Sequence, residues 1–183
     1  MLRRTLLALP LIVAPFFALA QAPRVDAENT LNLDLKDGRV VIRLRPDLAP
    51  KHVEQIKALV KRGFYDGIVF HRVIAGFMAQ TGDPTGTGSG GSNLPNIPAE
   101  FSREPFKRGT LGMARSSEPN SANSQFFIMF GDGAFLNGNY TVFGEVVQGM
   151  DVVDKIKKGD QAKNGSVVQP DKVIRMQLAS DAR

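Results

Sequence analysis

The stretch TLNLDLKDGRVVIRL, residues 30–44, sets Leu31, Leu33 and Leu35 against polar neighbours, turns at Asp37-Gly38 and returns from Arg39 to Leu44. An apolar residue at every second position places one face of an extended strand on a core and the other in water. Asp-Gly is a favoured dipeptide of the two-residue hairpin, so a type I′ turn is expected there. A folded region that opens on such a hairpin is committed to a sheet with antiparallel neighbours.

The rest of the chain continues in short extended pieces. Strands are expected at residues 68–74, 77–81, 110–113, 125–129, 141–147 and 173–178, and 18 glycines and 11 prolines supply the punctuation between them. Only two stretches change period. In residues 50–62, PKHVEQIKALVKR, Val53, Ile56, Leu59 and Val60 share one helical face, with Pro50 in the first turn, Gly63 as the stop signal and His52 on the polar side. Residues 150–156, MDVVDKI, form a shorter helix candidate. Many short strands with two helices, and no strand–helix alternation, argue for an antiparallel sheet closed or folded on itself.

The N-terminus, MLRRTLLALPLIVAPFFALAQA, has a basic start at Arg3 and Arg4, an apolar run from Thr5 to Phe17 and a small-x-small signal at Ala18-Leu19-Ala20. That is the pattern of a secretory signal peptide, with cleavage expected after Ala20. The run is shorter than the ~20 residues of a membrane span and is broken by Pro10 and Pro15. The expected organisation is a signal peptide at 1–20, a linker at 21–29, one domain at 30–179 and a tail at 180–183. The product would be a periplasmic monomer without stable membrane association. With no cysteine in the chain, it must rely on its core rather than on disulfides.

Loss of Arg3 and Arg4 takes the formal charge from +5 to +3, and the remaining basic residues are scattered, so no nucleic-acid surface is expected. Gly86-x-Gly88-x-x-Gly91 formally matches a dinucleotide fingerprint, but Pro95 and Pro98 follow where a helix would have to begin. The segment from Gly82 to Ser92 therefore reads as a mobile connection between strands. His52 and His71 are the only histidines, so no metal set of zinc type is expected, and no Gly-x-Ser-x-Gly elbow is present. No cofactor is called for.

One residue stands out against this background. In FHRVIAGFMAQTGD, residues 70–83, an alternating strand would put Phe70, Arg72 and Ile74 on one face. An arginine among apolar residues either snorkels to water or is held over a pocket. Gln80 is a long amide able to accept from the guanidinium, and Phe77, Met78, Phe126 or Phe127, Phe135 and Leu136 are available for pocket walls.

Together with GTLGMARS from Gly109, NSQFFIMF from Asn123 and FLNGNYTVFGEVVQGMDVV from Phe135, this block resembles the cyclophilins, a family of peptidyl-prolyl cis–trans isomerases. The resemblance runs from about Thr30 to about Leu178. It implies a mainly β fold, a closed eight-stranded antiparallel β-barrel capped by two α-helices. It further implies that Arg72 is the catalytic arginine and that Gln80 orients it. By the same resemblance Phe77, Met78, Phe127 and Leu136 hold a proline ring, Ala114 lines the neighbouring groove, Gln125 matches the family's substrate-binding glutamine before the two phenylalanines, and the Arg115 backbone holds a substrate carbonyl. His71 is expected at the pocket edge, as a bystander to the chemistry. Arg115, Phe135 and Tyr140 stand where many members have asparagine, tryptophan and histidine, and Phe135 lacks the indole donor, so weak cyclosporin binding is expected. The implied partners are proline-containing unfolded or exported polypeptides. The competing expectation is a proline-peptide-binding chaperone whose catalysis is incidental.

Overall fold

The computed structural model describes residues 26–182. The expected signal peptide and its expected cleavage point lie outside them. Among the described residues, eight strands form one sheet: β1 (Thr30–Leu35), β2 (Gly38–Leu44), β3 (Arg72–Ile74), β4 (Met78–Thr81), β5 (Thr110–Met113), β6 (Phe126–Met129), β7 (Val142–Gln148) and β8 (Arg175–Leu178). Every pairing is antiparallel, in the order β3-β4-β6-β5-β7-β2-β1-β8. Two helices accompany it, α1 (Pro50–Lys61) and α2 (Met150–Val153).

The sheet curls around its core, but it is not the closed barrel expected from sequence, because β3 and β8 share no ladder. The reason lies in what covers β3. Val73 donates to Gly165 O and its own carbonyl accepts from Gly159, while Arg72 bridges to Ser166. The segment between α2 and β8 thus occupies the edge that β8 would need. Closer to the other end, Gly67 and Phe70 donate to Val173 O and Asp171 O, which ties the two ends of the sheet together by single bonds rather than by a ladder.

The first hairpin forms where its alternation predicts, with Leu35 opposite Gly38. Its turn is not type I′. That turn needs φ > 0 at both central residues, whereas Lys36 and Asp37 have negative φ, and the left-handed residue is Gly38 at φ 138°. A Cβ on Gly38 would also lie 3.1 Å from Val152 Cγ2 of α2.

Helix α1 buries Val53, Ile56, Leu59 and Val60 as its period requires, and ends before Gly63 at φ 66°. His52 is not on the polar side: it is fully buried. It precedes Ile56 by four and Leu59 by seven residues, so it lies on the same stripe. Its Nδ1 sits 2.6 Å from Glu100 Oε2, and that carboxylate also accepts from the backbone N–H groups of Lys51 and His52, each at 3.1 Å. Ala49 provides no side-chain cap. Glu100, 48 residues away from His52 in sequence, therefore satisfies the orphan donors of the helix N-terminus. Burial holds His52 below the usual histidine range despite the carboxylate, so the neutral ring donates from Nδ1.

The pleat separates two apolar clusters. Leu111, Phe126, Ile128, Phe143 and Val73 join the main core with Leu31, Leu33 and the buried face of α1. Met78, Phe127, Met129 and Val142 face the other way, with Phe106 and Leu136. Phe70 goes to the main core while Ile74 packs on the second cluster, so the expected single face of Phe70, Arg72 and Ile74 is not formed. The cause is that β3 begins only at Arg72. Glu100→Ala removes the cap and leaves a buried imidazole without its acceptor; we expect a loss of about 1–3 kcal/mol in urea unfolding, with part recovered in Glu100→Gln.

Candidate active site

The second cluster floors a groove of about 810 Å³. Arg72, the first residue of β3, pairs across the ladder with Gln80 of β4, which in turn pairs with Phe127 of β6. On one face of three adjacent strands these positions bring a guanidinium, an amide and a ring side by side. Met78 is opposite Met129, one step further along the same face.

Gln80 Oε1 accepts from Arg72 Nη1 at 3.1 Å, and Gln80 Nε2 donates to Gln125 Oε1 at 2.9 Å. Gln125 Nε2 continues to the carbonyls of Gly88 (3.0 Å) and Gly90 (2.8 Å). The amide orientation of Gln80 is therefore dictated from one end by a cation and from the other by Gln125. A residue that sequence inspection did not single out holds the opposite side of the guanidinium. Asn164 accepts from Arg72 Nε with its backbone carbonyl at 3.1 Å and from Nη2 with its side-chain oxygen at 2.9 Å. Asn164 has φ 53° and precedes Gly165. Asn-Gly is a turn signal legible in sequence, but its partner 92 residues away is not.

All three acceptors on Arg72 are neutral, and no ion pair to it is formed among the described residues. Three of its five N–H groups are engaged, leaving one on each terminal nitrogen. Partial burial lowers its pKa from the usual arginine value, yet an arginine in a protein stays charged. The group is thus a fixed, partly desolvated, uncompensated cation at the lip of an apolar cup.

The cup is built from Met78, Phe127 and Leu136, all buried, and half-buried Phe77. Phe127 stacks on Phe106 with centroids 5.8 Å apart and meets the edge of Tyr140 at 6.0 Å. Phe106 was not anticipated from sequence, nor was Gly112, which faces Phe127 across the β5–β6 ladder. A Cβ on Gly112 would lie 2.4 Å from Phe127 and 2.6 Å from Phe106. Glycine here is the space that the two stacked rings occupy. Phe135 is 70% exposed and leans on Phe77 at 5.3 Å, a rim rather than a wall.

His71, Ala114, Arg115 and Tyr140 also line this groove. Gln125 does not: it lines an adjoining lobe of about 520 Å³, shared at Gln80, Gly88, Ser89, Ala114 and Arg115. The Arg115 backbone N–H makes no hydrogen bond among the described residues. Its guanidinium donates to the carbonyls of Asn139, Ser116 and Ser117 and lies 4.6 Å from the Tyr140 centroid. Both ring nitrogens of buried His71 are unpartnered, and burial keeps the ring below the usual histidine pKa.

The glycine-rich segment is a wall of the groove, not the mobile connection expected. Asp83, 1% exposed, gathers the backbone N–H groups of Thr85 (2.7 Å), Thr87 (3.1 Å), Gly88 (2.6 Å) and Gly90 (3.1 Å), and the Thr85 hydroxyl (2.8 Å). Gly90 must be glycine, since a Cβ would fall 2.1 Å from Asp83 Oδ1. Burial alone would raise the Asp83 pKa, but the hydrogen bonds from Thr85, Gly90 and Gly88 outweigh it and hold the carboxyl at about 2.

The chain and its fold are similar to known proteins. Residues 30–178 match the family model described as cyclophilin type peptidyl-prolyl cis-trans isomerase. A probable peptidyl-prolyl cis-trans isomerase of Brucella suis is 58% identical over 193 residues, covering 100% of this chain and 98% of its own. A peptidyl-prolyl cis-trans isomerase of Helicobacter pylori is 44% identical over 127 residues, 67% of this chain and 77% of that one. Among solved structures, cyclophilin AquaCyp293 from Hirschia baltica superposes with a TM-score of 0.78 at 28% identity, covering 87% of this chain and 77% of that one. A Cryptosporidium parvum cyclophilin crystallised in the presence of the dipeptide Ala-Pro gives 0.74 at 29% identity, over 81% of this chain and 98% of its own. The chain belongs to the cyclophilin-type peptidyl-prolyl cis–trans isomerases, the enzymes that accelerate rotation about X–Pro bonds.

Two outcomes check the site's construction. A carboxyl with a depressed folded pKa stabilises fully above its unfolded value and loses that contribution as pH falls through the folded one. Asp83 should therefore contribute on the order of 2 kcal/mol, lost between about pH 4 and about pH 2, and Asp83→Asn should flatten that part of the acid-unfolding profile. Gly112→Ala must displace Phe127 or Phe106; we expect kcat/KM on a proline peptide to fall by at least about tenfold, with a stability loss of about 1–3 kcal/mol.

Proposed function

We propose that Arg72 drives this isomerisation by donating to the proline nitrogen of a twisted amide, in polypeptides that have been exported to the periplasm. The observation that carries the proposal is the guanidinium held by neutral acceptors on both flanks at the lip of an apolar cup.

The chemistry asks for little more. The barrier of ~18–20 kcal/mol to rotation is amide resonance, and an X–Pro bond relaxes over tens to hundreds of seconds. No covalent bond is made or broken. In the twisted state the proline nitrogen becomes pyramidal and regains a lone pair; in the planar states it has none to offer. A donor aimed there stabilises the transition state selectively, which is the condition for catalysis. Turnover of ~10–1000 per second needs roughly 10³–10⁵-fold acceleration, about 4–7 kcal/mol. One preorganised donor in a water-poor site supplies about 2.7–4 kcal/mol, and the remainder falls to binding in the cup.

Phe77, Met78, Phe127 and Leu136 would take the proline ring, and the Arg115 N–H would hold the carbonyl oxygen on its acyl side. Gln80 and Asn164 act through Arg72 as positioning residues. Export rests on the basic, apolar and small-x-small order of residues 3–20, and periplasmic action, with refolding clients, follows from it.

The deciding experiment is cis–trans exchange of a proline peptide by the mature wild type and by Arg72→Ala. We expect kcat/KM to fall about 10²–10³-fold; a wild-type rate in the variant would sink the mechanism. Gln80→Met keeps the length and removes the acceptor, and should cost about tenfold to a hundredfold through misaimed Arg72. Because no proton moves, kcat/KM should be flat from about pH 7 to 9; a bell-shaped profile would point to acid–base chemistry instead. Acceleration of a proline-limited refolding step at substoichiometric amounts distinguishes an isomerase from a holdase, and N-terminal sequencing of the periplasmic protein checks cleavage after Ala20.

A further inference from the structure

Among the described residues the two lobes of the groove carry three cations, Arg72, Arg115 and Lys163, and no carboxylate lines either one. Arg115 stands where the lobes meet, since it lines both. Its side chain is fixed by four hydrogen bonds, Nε and Nη2 to Asn139 O at 3.2 and 2.8 Å and Nη1 to Ser116 O and Ser117 O at 2.9 and 3.2 Å, and by stacking on Tyr140. Every one of those acceptors is a neutral carbonyl, and Arg115 forms no salt bridge among the described residues. Glu118, exposed and three residues further on, lines neither lobe. The charge is therefore held in place before any ligand arrives, and one N–H remains for it. Holding a long side chain in advance removes the entropy cost that usually cancels a rim ion pair.

We infer that Arg115 makes this enzyme selective for an acidic side chain two residues before the proline. The inference rests on the proline ring occupying the cup as proposed above. If the Arg115 N–H holds the acyl-side carbonyl, the chain ahead of the proline passes Arg115 toward the second lobe. The residue next to the proline supplies the rotating carbonyl, so the one before it is the first whose side chain meets that lobe. A carboxylate there finds a fixed cation in a lobe lined by no carboxylate, since Asp83 is buried behind the glycine wall and engaged by its amides; a lysine meets repulsion from Arg115.

The test uses end-capped peptides X-Ala-Pro-Phe with X as Glu, Gln or Lys, with exchange read by NMR and affinity by titration. The readout is the ratio between peptides within one protein, which absolute activity does not affect. For the wild type at low salt, Glu over Lys should reach about three- to tenfold in kcat/KM, shrinking toward one in about 0.5 M salt. Arg115→Gln should bring the ratio to near one, and Arg115→Lys should retain most of it. Moving the glutamate to the position after the proline should give less than about twofold. A wild-type ratio of one, a ratio kept in Arg115→Gln, or an effect only after the proline overturns the inference while leaving the isomerase mechanism intact. No exchange on any peptide overturns the mechanism instead. In that case the same ratio in Kd still decides the role of Arg115, and absence of binding to all three overturns both.

Discussion

Along β4 and β6 the pleat sends alternate side chains to opposite sides of the sheet, and the groove exists because both sides are used. Ala79, Phe126 and Ile128 go inward to the main core, and Met78, Phe127 and Met129 go outward to the groove. A half-buried sheet would leave that outer face wet. Here Phe106 and Leu136 cover it partway, so the outward row is desolvated but not sealed. Arg72 and Gln80 lie on the same side, one strand apart in register. A single-residue slip would turn Phe127 and Gln80 into the core and bring Phe126 and Ala79 out, so the register that stabilises the domain also assembles the site.

Around that fixed row, loops supply polar support by bonds of long sequence range. Asp83 gathers its glycine-rich loop into a wall, and that wall presents the carbonyls of Gly88 and Gly90 to Gln125. Gln125 steadies Gln80, and Gln80 steadies Arg72. A buried carboxylate thus bears, through three further residues, on the aim of a guanidinium it does not touch. The acceptors nearest Arg72 are amides rather than carboxylates. A carboxylate would grip the guanidinium harder and also neutralise the charge on which the proposed mechanism relies.

Strand existence was legible wherever alternation was strong, as in Leu31, Leu33 and Leu35, and strand ends where a glycine or proline stood. Legibility failed at three kinds of place. His52 lies on the buried stripe of α1 by spacing, but its polar identity hid that until Glu100 appeared as its partner. The glycines between Gly82 and Ser92 suggest mobility by composition, whereas six donors converge there on one carboxylate. Asn164, Gly112 and Phe106 act through neighbours remote in sequence, and no local pattern announces such neighbours. The closed barrel failed for a related reason: the segment covering β3 reads as loop, and its hydrogen bonds displace a strand pairing.

By itself the sequence determined the alternating faces of the first hairpin, the apolar stripe of the first helix and the motif set around Arg72, because hydrophobic period acts over a few residues. Tertiary structure alone decided that the sheet stays open at β3 and β8, that Glu100 caps α1, that Asn164 flanks the guanidinium and that Arg115 stands between two lobes with no carboxylate partner among the described residues. Those outcomes depend on which distant groups compete for the same hydrogen bonds once the chain is packed, and that competition has no local signature.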